Sequence, residues 1–559
     1  DYEELARKNH ARFFVTGRMS TMRDSASVLL QLHDLEMKSD PVQLSKLAPV
    51  SEWWRAASSG VAELLPRIIP GGSRSLQKDW SDRNPQAIAL FLAGEAAFRH
   101  LQRDSALTLF KEAVSADSTF GFAALRGAQA ASWAHQFNDA KSLVHIALSH
   151  PQTERDRAFA QGLDAFLDGR ADSSITALRA ALAIDADMSV AWMQLSETYL
   201  HLLPSEGITD SLADDALAHA VALDSSNTGL IYHQVELAAR ADNRARVDLL
   251  ANRFLTTASD TMLRGEVALV KACVDGAWTD SLLHDAATHR PQPLSIAAKL
   301  IGLSHPKCMR DGYAKLLLVD TSNAPVADGR RFFAIVGLQQ ALLAKGAVDS
   351  AIMEVDRFIA RWKYGTSIFL IDAPVVPAFV ERARQVATSD SSRLGADYHA
   401  VPSATRAWLL GTWAAFDGKL ATAQAVAADL EKRAAKSGQQ SDRVRVEALQ
   451  AHIAMARHDT TDAIRRLQAL LKLPALKDSV SWEEAGSLGL ERLTLGRLLM
   501  ARHEYASARD VLRVLDSAAP ANFPLYAPLA LQLRIDAATA LGDEAEVQAL
   551  RKRLRLMAS

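Results

Sequence analysis

The feature that most constrains the fold of this chain is a fixed spacing of small residues. Three alanines stand 34 residues apart, and seven residues before each of them stands another small residue. The two series are Ala113, Ala147, Ala181 and Ala106, Ala140, Ser174. Only small side chains allow two helices to approach closely, so a period of 34 with small residues in one phase predicts stacked helical hairpins.

A fourth segment strengthens this interpretation. It opens with Trp192-Met-Gln-Leu-Ser-Glu-Thr-Tyr199 and, after a short insertion, resumes in phase at Ala213 and Ala220. Residues 84–224 therefore resemble the tetratricopeptide (TPR) family, whose W-x-x-L-G-x-x-Y motif appears here with Ser in place of Gly. The resemblance implies a helical solenoid, a class that usually binds other proteins.

The first 70 residues lack this period. Alternating apolar residues predict strands over 13–19 and 27–33 with a polar turn between them, and a helix follows over 51–67. The predicted fold class is therefore mainly α, a TPR-type helical-repeat solenoid preceded by a small α/β segment.

The predicted organisation has four parts. An α/β segment and linker cover 1–76, a TPR array covers 77–256, and degenerate helical repeats cover 257–400. Within the third part, an apolar, proline-broken stretch at 364–377 is either a loop packed on the array or a docking element. TPR-like hairpins and a capping helix are predicted over 401–559.

The segment around "VTGRM" and "QLHDLE" resembles the second half of the TolB-amino-terminal-like domain. That domain often precedes TPR arrays in bacterial receptor-like serine/threonine kinases and related regulators. The resemblance implies that the chain begins inside a domain and belongs to a bacterial signalling protein. Because the resemblance implies a kinase and a membrane span upstream, it places this chain on the extracytoplasmic side in preference to the cytoplasm.

Composition excludes several classes of function. A net charge of −2 provides no basic face for nucleic acid, and no apolar run reaches the length of a membrane span. Two cysteines in 559 residues exclude a disulfide scaffold and leave the redox compartment undecided. His305 and Cys308 have the spacing of metal ligands but lack a second pair, so a loop histidine and a buried structural cysteine are preferred.

The sequence contains no nucleotide-binding, zinc-protease, hydrolase or kinase motif. An enzyme built on helical repeats and acting on glycans would need paired carboxylates in one cavity. The candidates Asp214, Asp215, Glu483 and Glu484 stand at helix starts or turns, where capping explains them better. We therefore predict no catalytic, cofactor-binding or metal-binding residue and no cofactor.

The inner face of the first array is the predicted binding groove. In TPR proteins the first helix of each repeat lines this face, and here its residues are mostly apolar or aromatic. The predicted partner-binding residues are Phe91, Glu95, Phe98, Phe122, Gln129, Phe159, Phe166, Met193 and Glu197. Either the groove binds a hydrophobic or helical peptide, or the chain's own N-terminal segment or distal half covers it.

The predicted function is that of a non-catalytic interaction scaffold or sensor with a protein or peptide partner. The alternatives are a structural subunit of a larger assembly, homo-oligomers included, and the glycan-acting enzyme.

Overall fold

The computed structural model describes residues 2–8, 13–35, 40–64, 83–150, 152–202, 211–302, 304–320, 325–362, 368–394, 404–437, 440–472, 488–516 and 524–558. The chain divides into two compact units. The first comprises Asp1–Leu167, Asp172–Ser196 and Asp215–Leu230, and the second comprises Asp168–Ala171, Glu197–Asp214 and Ile231–Ser559. The four-part division expected from the sequence stays a prediction.

The N-terminal segment contains a short helix, a three-stranded antiparallel sheet and a second helix. These are α1 (Tyr2–Lys8), β1 (Phe13–Met22), β2 (Ser25–Asp34), β3 (Val42–Pro49) and α2 (Trp53–Leu64), with strand order β1-β2-β3. The predicted hairpin is confirmed, since Val15 pairs with Leu32 and Met19 with Val28. The third strand was not predicted.

Helix α2 packs on one face of the sheet. Its residues Ala56 and Leu64 form a buried cluster with Val28, Leu30 and Leu32 of β2. Gly60 allows this close approach, because a Cβ there would lie 2.5 Å from a methyl carbon of Leu30. The tryptophans at the start of α2 do not join this core: Trp53 is 44% and Trp54 50% exposed.

The repeat region begins as four helical hairpins. Their helices are α3 (Pro85–Arg99), α4 (Arg103–Ala116), α5 (Gly121–Trp133), α6 (Phe137–Leu148), α7 (Glu154–Leu167), α8 (Ala171–Ile184), α9 (Ser189–His201) and α10 (Ser211–Leu223). All six small residues of the 34-residue period are completely buried. The predicted helical-repeat fold is confirmed.

The turn within each of the first three hairpins contains one residue with positive φ. These are Leu101 (φ 62°), His135 (φ 57°) and Gly169 (φ 73°), again 34 residues apart. At the first turn, the amide of Gln102 donates to the carbonyl of Ala97 over 2.9 Å, and that of Leu101 to Phe98 over 3.0 Å. This is the Schellman pattern, which satisfies the last carbonyls of a helix.

Helical hairpins continue to the C-terminus. The helices are α11 (Thr228–Arg240), α12 (Arg244–Thr257), α13 (Thr261–Val274), α14 (Asp280–His289), α15 (Pro291–Leu300), α16 (Pro306–Val319), α17 (Pro325–Ala344), α18 (Val348–Trp362), α19 (Ile368–Asp372), α20 (Val380–Leu394), α21 (Ala404–Phe416), α22 (Leu420–Ser437), α23 (Gln440–Ala456), α24 (Thr460–Leu470), α25 (Gly489–Ala501), α26 (Tyr505–Arg513), α27 (Tyr526–Leu541) and α28 (Glu544–Ala558). No helix among the described residues has both the length and the apolarity needed to cross a membrane.

The proline-broken apolar stretch is partly described, because residues 364–367 lie outside the described ranges. Its next part is α19, in which all five residues are buried. The amide nitrogens of Gln339 and Gln340 on α17 donate to the Asp372 carboxylate at the end of α19, each over 2.7 Å to Oδ2. The described part of this stretch is therefore packed against the array.

The two cysteines form a disulfide. Cys273 on α13 and Cys308 on α16 are joined across 35 residues of sequence. Cys308 therefore has the structural role preferred from the sequence, although it is half-buried, and it is not a metal ligand beside His305. The imidazole of His305 instead contacts the backbone carbonyl of Ala239 at 3.1 Å.

Candidate functional site

The structure buries most of the residues assigned to the predicted groove. Seven of the nine are at most 6% exposed: Phe91, Glu95, Phe98, Gln129, Phe159, Met193 and Glu197. Phe122 and Phe166 are half-buried. A partner would not reach the seven buried residues in this conformation, so the apolar groove formed by their side chains is not an open surface. Whether a partner binds this face stays a prediction.

Packing between neighbouring helices explains the burial of the aromatic residues. The ring of Phe91 lies 5.6 Å from that of Phe110 and 5.2 Å from that of Phe120, and the ring of Phe98 lies 5.9 Å from that of Trp133. Such ring contacts are typical of aromatic cores. These side chains hold successive hairpins together.

The polar members of the set are paired inside the first unit. Two nitrogens of the buried Arg126 donate to Glu95, the second over 3.1 Å to Oε2, and its third nitrogen donates to the side-chain oxygen of Gln129. Gln129 in turn donates to the side chain of Gln194 over 3.2 Å. Because buried charges are costly unless they are paired, the ion pair between Arg126 and Glu95 compensates both charges within the first array.

Glu197 belongs to a different cluster, in the second unit. Its side chain is on α9, one helical turn before His201, and α11 brings His233 to the other carboxylate oxygen. Glu197 Oε2 lies 3.2 Å from His201 Nε2, and Glu197 Oε1 lies 3.0 Å from His233 Nε2. We call Glu197, His201 and His233 the Glu-His cluster. Among the described residues it is the one group of three or more histidine, cysteine or acidic side chains with the spacing of metal ligands.

A second layer of charged residues orients His233. Its Nδ1 lies 3.0 Å from Glu236 Oε2, one helical turn further along α11, and Glu236 also accepts from Arg240. The hydroxyl of Tyr232 donates to Glu266 on α13 over 2.9 Å. The cluster thus lies within a buried, largely charged layer formed by α9, α11 and α13.

The charges within this layer shift the pKa of each member. Burial alone would lower the pKa of His233, but the negative charges of Glu197 and Glu236 raise it to about 10. Burial would raise the pKa of both carboxyls; the charge of His233 lowers that of Glu197 to about 2, and the charge of Arg240 lowers that of Glu236 to about 2. As it stands, the cluster pairs carboxylates with an imidazolium.

Sequence reasoning missed His201 and His233 as functional candidates. The available signal was weak: Glu-x-x-x-His on the fourth hairpin and His-x-x-Glu on the next first helix, with Glu197 and His233 36 residues apart. Each motif places two side chains on one helix face. Nothing in the sequence states that the two faces meet.

The structure describes two of the four acidic candidates for a glycan-acting site. Asp214 forms a two-nitrogen ion pair with Arg246. Glu483 and Glu484 lie outside the described residues.

Comparison with known proteins adds little to this description. No family model matches the chain, and no curated protein matches its sequence. Among solved structures, it is similar to a complex titled "Structure of Naa15/Naa10 bound to HypK-THB", with 12% identity and a TM-score of 0.22 over 84% of this chain and 68% of that one. At this identity and TM-score, the likeness transfers no function to the chain.

Proposed function

We propose that the chain is a non-catalytic helical-repeat scaffold that binds a protein or peptide partner. The observation that supports this proposal is an apolar surface at one end of the N-terminal sheet. Exposed large apolar side chains are concentrated in the N-terminal segment, where ten of the nineteen in the described residues lie. Contiguous patches of exposed apolar side chains mark interaction sites.

The strand register brings part of this surface together. Met22, at the end of β1, pairs with Ser25, and Ser25 pairs with Pro49 at the end of β3. Val50 follows directly, and α2 begins at Trp53. We define the N-terminal apolar surface as Met22, Val50, Trp53 and Trp54, which are 79%, 37%, 44% and 50% exposed. Tryptophan is one of the residue types enriched among binding hot spots.

The half-buried Phe122 and Phe166 provide a second, smaller contact area on the first array. They are the two members of the predicted groove that retain substantial exposure. A partner that extends along the repeats would contact these two rings.

We place this scaffold in a bacterial signalling protein, as its resemblance to receptor-like kinases implies, and on the extracytoplasmic side of the membrane. The Cys273–Cys308 disulfide supports that compartment, because structural disulfides persist where the environment is oxidising.

Site-specific photo-crosslinking in the native host tests the proposal. A photoreactive phenylalanine analogue replaces Trp54 or Phe122 in the full chain, and the matched control carries it at Leu249, which is on α12 and 71% exposed. We expect a discrete crosslinked protein, identified by mass spectrometry, at position 54 or 122 and none at 249. A crosslink to a second copy of the chain would identify a homo-oligomer. The same products at all three positions, or none, would contradict the proposal.

A further inference from the structure

We propose that the Glu-His cluster is a binding site for a divalent transition metal, zinc in particular, held by one carboxylate and two imidazoles. This inference does not depend on the proposed scaffold function. It rests on the geometry of the three ligands, on their supporting residues and on one unsatisfied buried atom.

The ligand atoms are spaced as around a single cation. Glu197 lies 3.2 Å from the Nε2 of His201 and 3.0 Å from that of His233, and one ligand atom from each of the three residues fits within 4.8 Å of the others. Zinc ligands at roughly 2.0–2.2 Å in a tetrahedron stand about 3.3 Å apart. Small side-chain rotations therefore place all three around one ion.

The chemistry of the ligand set also suits zinc. Two histidines and a glutamate are the protein ligands of many zinc sites that keep the fourth position for water. The side chains of Glu197 and His233 are 8% and 7% exposed, whereas that of His201 is 26% exposed. The site is therefore closed towards the repeat core and open beside His201, where the ion would enter and a water would complete its shell.

The surroundings of His233 match those of a metal-binding histidine. Such a histidine usually donates a hydrogen bond from its second ring nitrogen to a carboxylate, a backbone carbonyl or a water, and this bond orients the ring and fixes its tautomer. Here His233 Nδ1 lies 3.0 Å from Glu236, and Arg240 holds Glu236 from the other side. The ring is oriented with Nε2 towards Glu197.

One atom of the cluster remains unsatisfied. Glu197 Oε1 is buried, and its contact with His233 Nε2 at 3.0 Å is an ion pair that lacks hydrogen-bond geometry. A buried carboxylate oxygen without a donor is costly. A bound cation would satisfy this oxygen.

Formal charge gives the same indication. Glu197, Glu236 and Glu266 contribute three negative charges to this buried layer, and Arg240 contributes one positive charge. Without a metal, the imidazolium of His233 offsets one of the remaining two charges. A divalent cation with neutral histidines would balance both. Each buried charge then has a counter-charge, as burial requires.

Metal titration of the untagged full chain, freed of metal by a chelator and dialysed, tests this proposal. We expect calorimetry to show one high-affinity Zn²⁺ site per chain. Co²⁺ bound at this site should show the visible d–d absorption bands of a four-coordinate ion. His201→Ala should weaken binding at least 10-fold, and Glu236→Gln by about 10–100-fold, because the latter removes the partner that orients His233. The matched control is His145→Ala, which removes an exposed histidine of α6 and should bind like the wild type.

His201→Ala is the decisive variant. Because His201 is partly exposed, we expect this variant to keep its fold, and circular dichroism would verify this. Zn²⁺ should raise the melting temperature of the wild type and of His145→Ala but not that of His201→Ala. Equal Zn²⁺ affinity in the wild type and His201→Ala, or no stoichiometric site, would overturn the proposal and leave the cluster as a metal-free network of ion pairs.

Discussion

At the scale of single residues, this protein places many charged and polar side chains inside its helical layers and pairs them there. Arg126 is 2% exposed and is held by Glu95 and Gln129, and the Glu-His cluster is held by Glu236 and Arg240. The sequence assigned Glu95, Gln129 and Glu197 to the inner helices. It did not reveal the pairing of Glu95 with Arg126 or of Glu197 with His233, because in each pair the two residues come from different hairpins.

Asp372 provides a residue-scale prediction about pH. Its carboxyl is completely buried at the end of α19, and burial raises its pKa to about 7, although the hydrogen bond from Gln340 acts in the opposite direction. An unfolded aspartate has a pKa of about 3.9. Between these two pKa values the folded state binds a proton that the unfolded state releases. The stabilisation that this proton provides is therefore full below about pH 4 and is lost as the pH rises to about 7.

We expect the free energy of unfolding of the wild type to fall by on the order of 2 kcal/mol more than that of Asp372→Asn between pH 5 and pH 8. Urea denaturation followed by tryptophan fluorescence at both pH values would measure this difference. A constant offset between wild type and variant across this range would show that Asp372 has an ordinary pKa.

At the scale of helices and strands, the sequence predicted the elements whose residues follow a regular short-range pattern and missed strand β3, which does not. The hairpins of residues 84–224 were predictable because a helix that packs closely on its neighbour needs small residues at fixed positions. Strand β3 was missed because Lys46 interrupts the apolar alternation of Val42, Leu44 and Ala48. Its pairing with β2, Leu44 opposite Leu30, supplies the missing stabilisation.

The turns show the same limit. Gly169 is a recognisable turn residue, but Leu101 and His135 adopt the same left-handed conformation at equivalent positions. That conformation is unfavourable for a side chain with a Cβ. The packing of the two helices on either side imposes it.

Close helix packing leads to an element-scale prediction. A Cβ on Gly162 of α7 would lie 2.6 Å from Leu178 Cγ on α8. Gly162→Ala should therefore destabilise the protein by roughly 1–3 kcal/mol, because neither helix can move without disturbing the next hairpin.

Gly329 on α17 is the matched control, since a Cβ at this position would have no atom within 4 Å beyond its chain neighbours and the backbone of its own helix. Gly329→Ala should stabilise the helix by about 0.5–1 kcal/mol, because alanine loses less backbone entropy on folding. Urea denaturation of both variants measures the two effects. If both substitutions changed the free energy of unfolding by the same amount and in the same direction, the close contact with Leu178 would not be the reason for the glycine at position 162.

At the scale of the whole chain, one covalent link crosses the second unit. The Cys273–Cys308 disulfide joins α13 to α16, in the region where the 34-residue period is lost. In the chain-entropy account, closing a loop of this length stabilises the folded state by roughly 3–4 kcal/mol.

The free energy of unfolding of the double variant Cys273→Ser, Cys308→Ser should be lower than that of the wild type by roughly 3–4 kcal/mol. Reductant should destabilise the wild type but not the variant. A thiol assay of the denatured, unreduced protein should find no free cysteine. Two reactive thiols per chain, with the same denaturation midpoint in the presence and absence of reductant, would contradict the link.

The sequence by itself determined that this protein is a helical-repeat solenoid with a β-hairpin near its N-terminus, because both follow from short-range periodicity. Only the tertiary structure decided how the inner residues are used. Phe91, Phe98 and Phe159 became core rather than open groove, and Glu197 met His233 across two helices. The reason is physical: a period specifies which face of a helix is apolar or small, but contact across hairpins depends on how far each helix is rotated and shifted against the next.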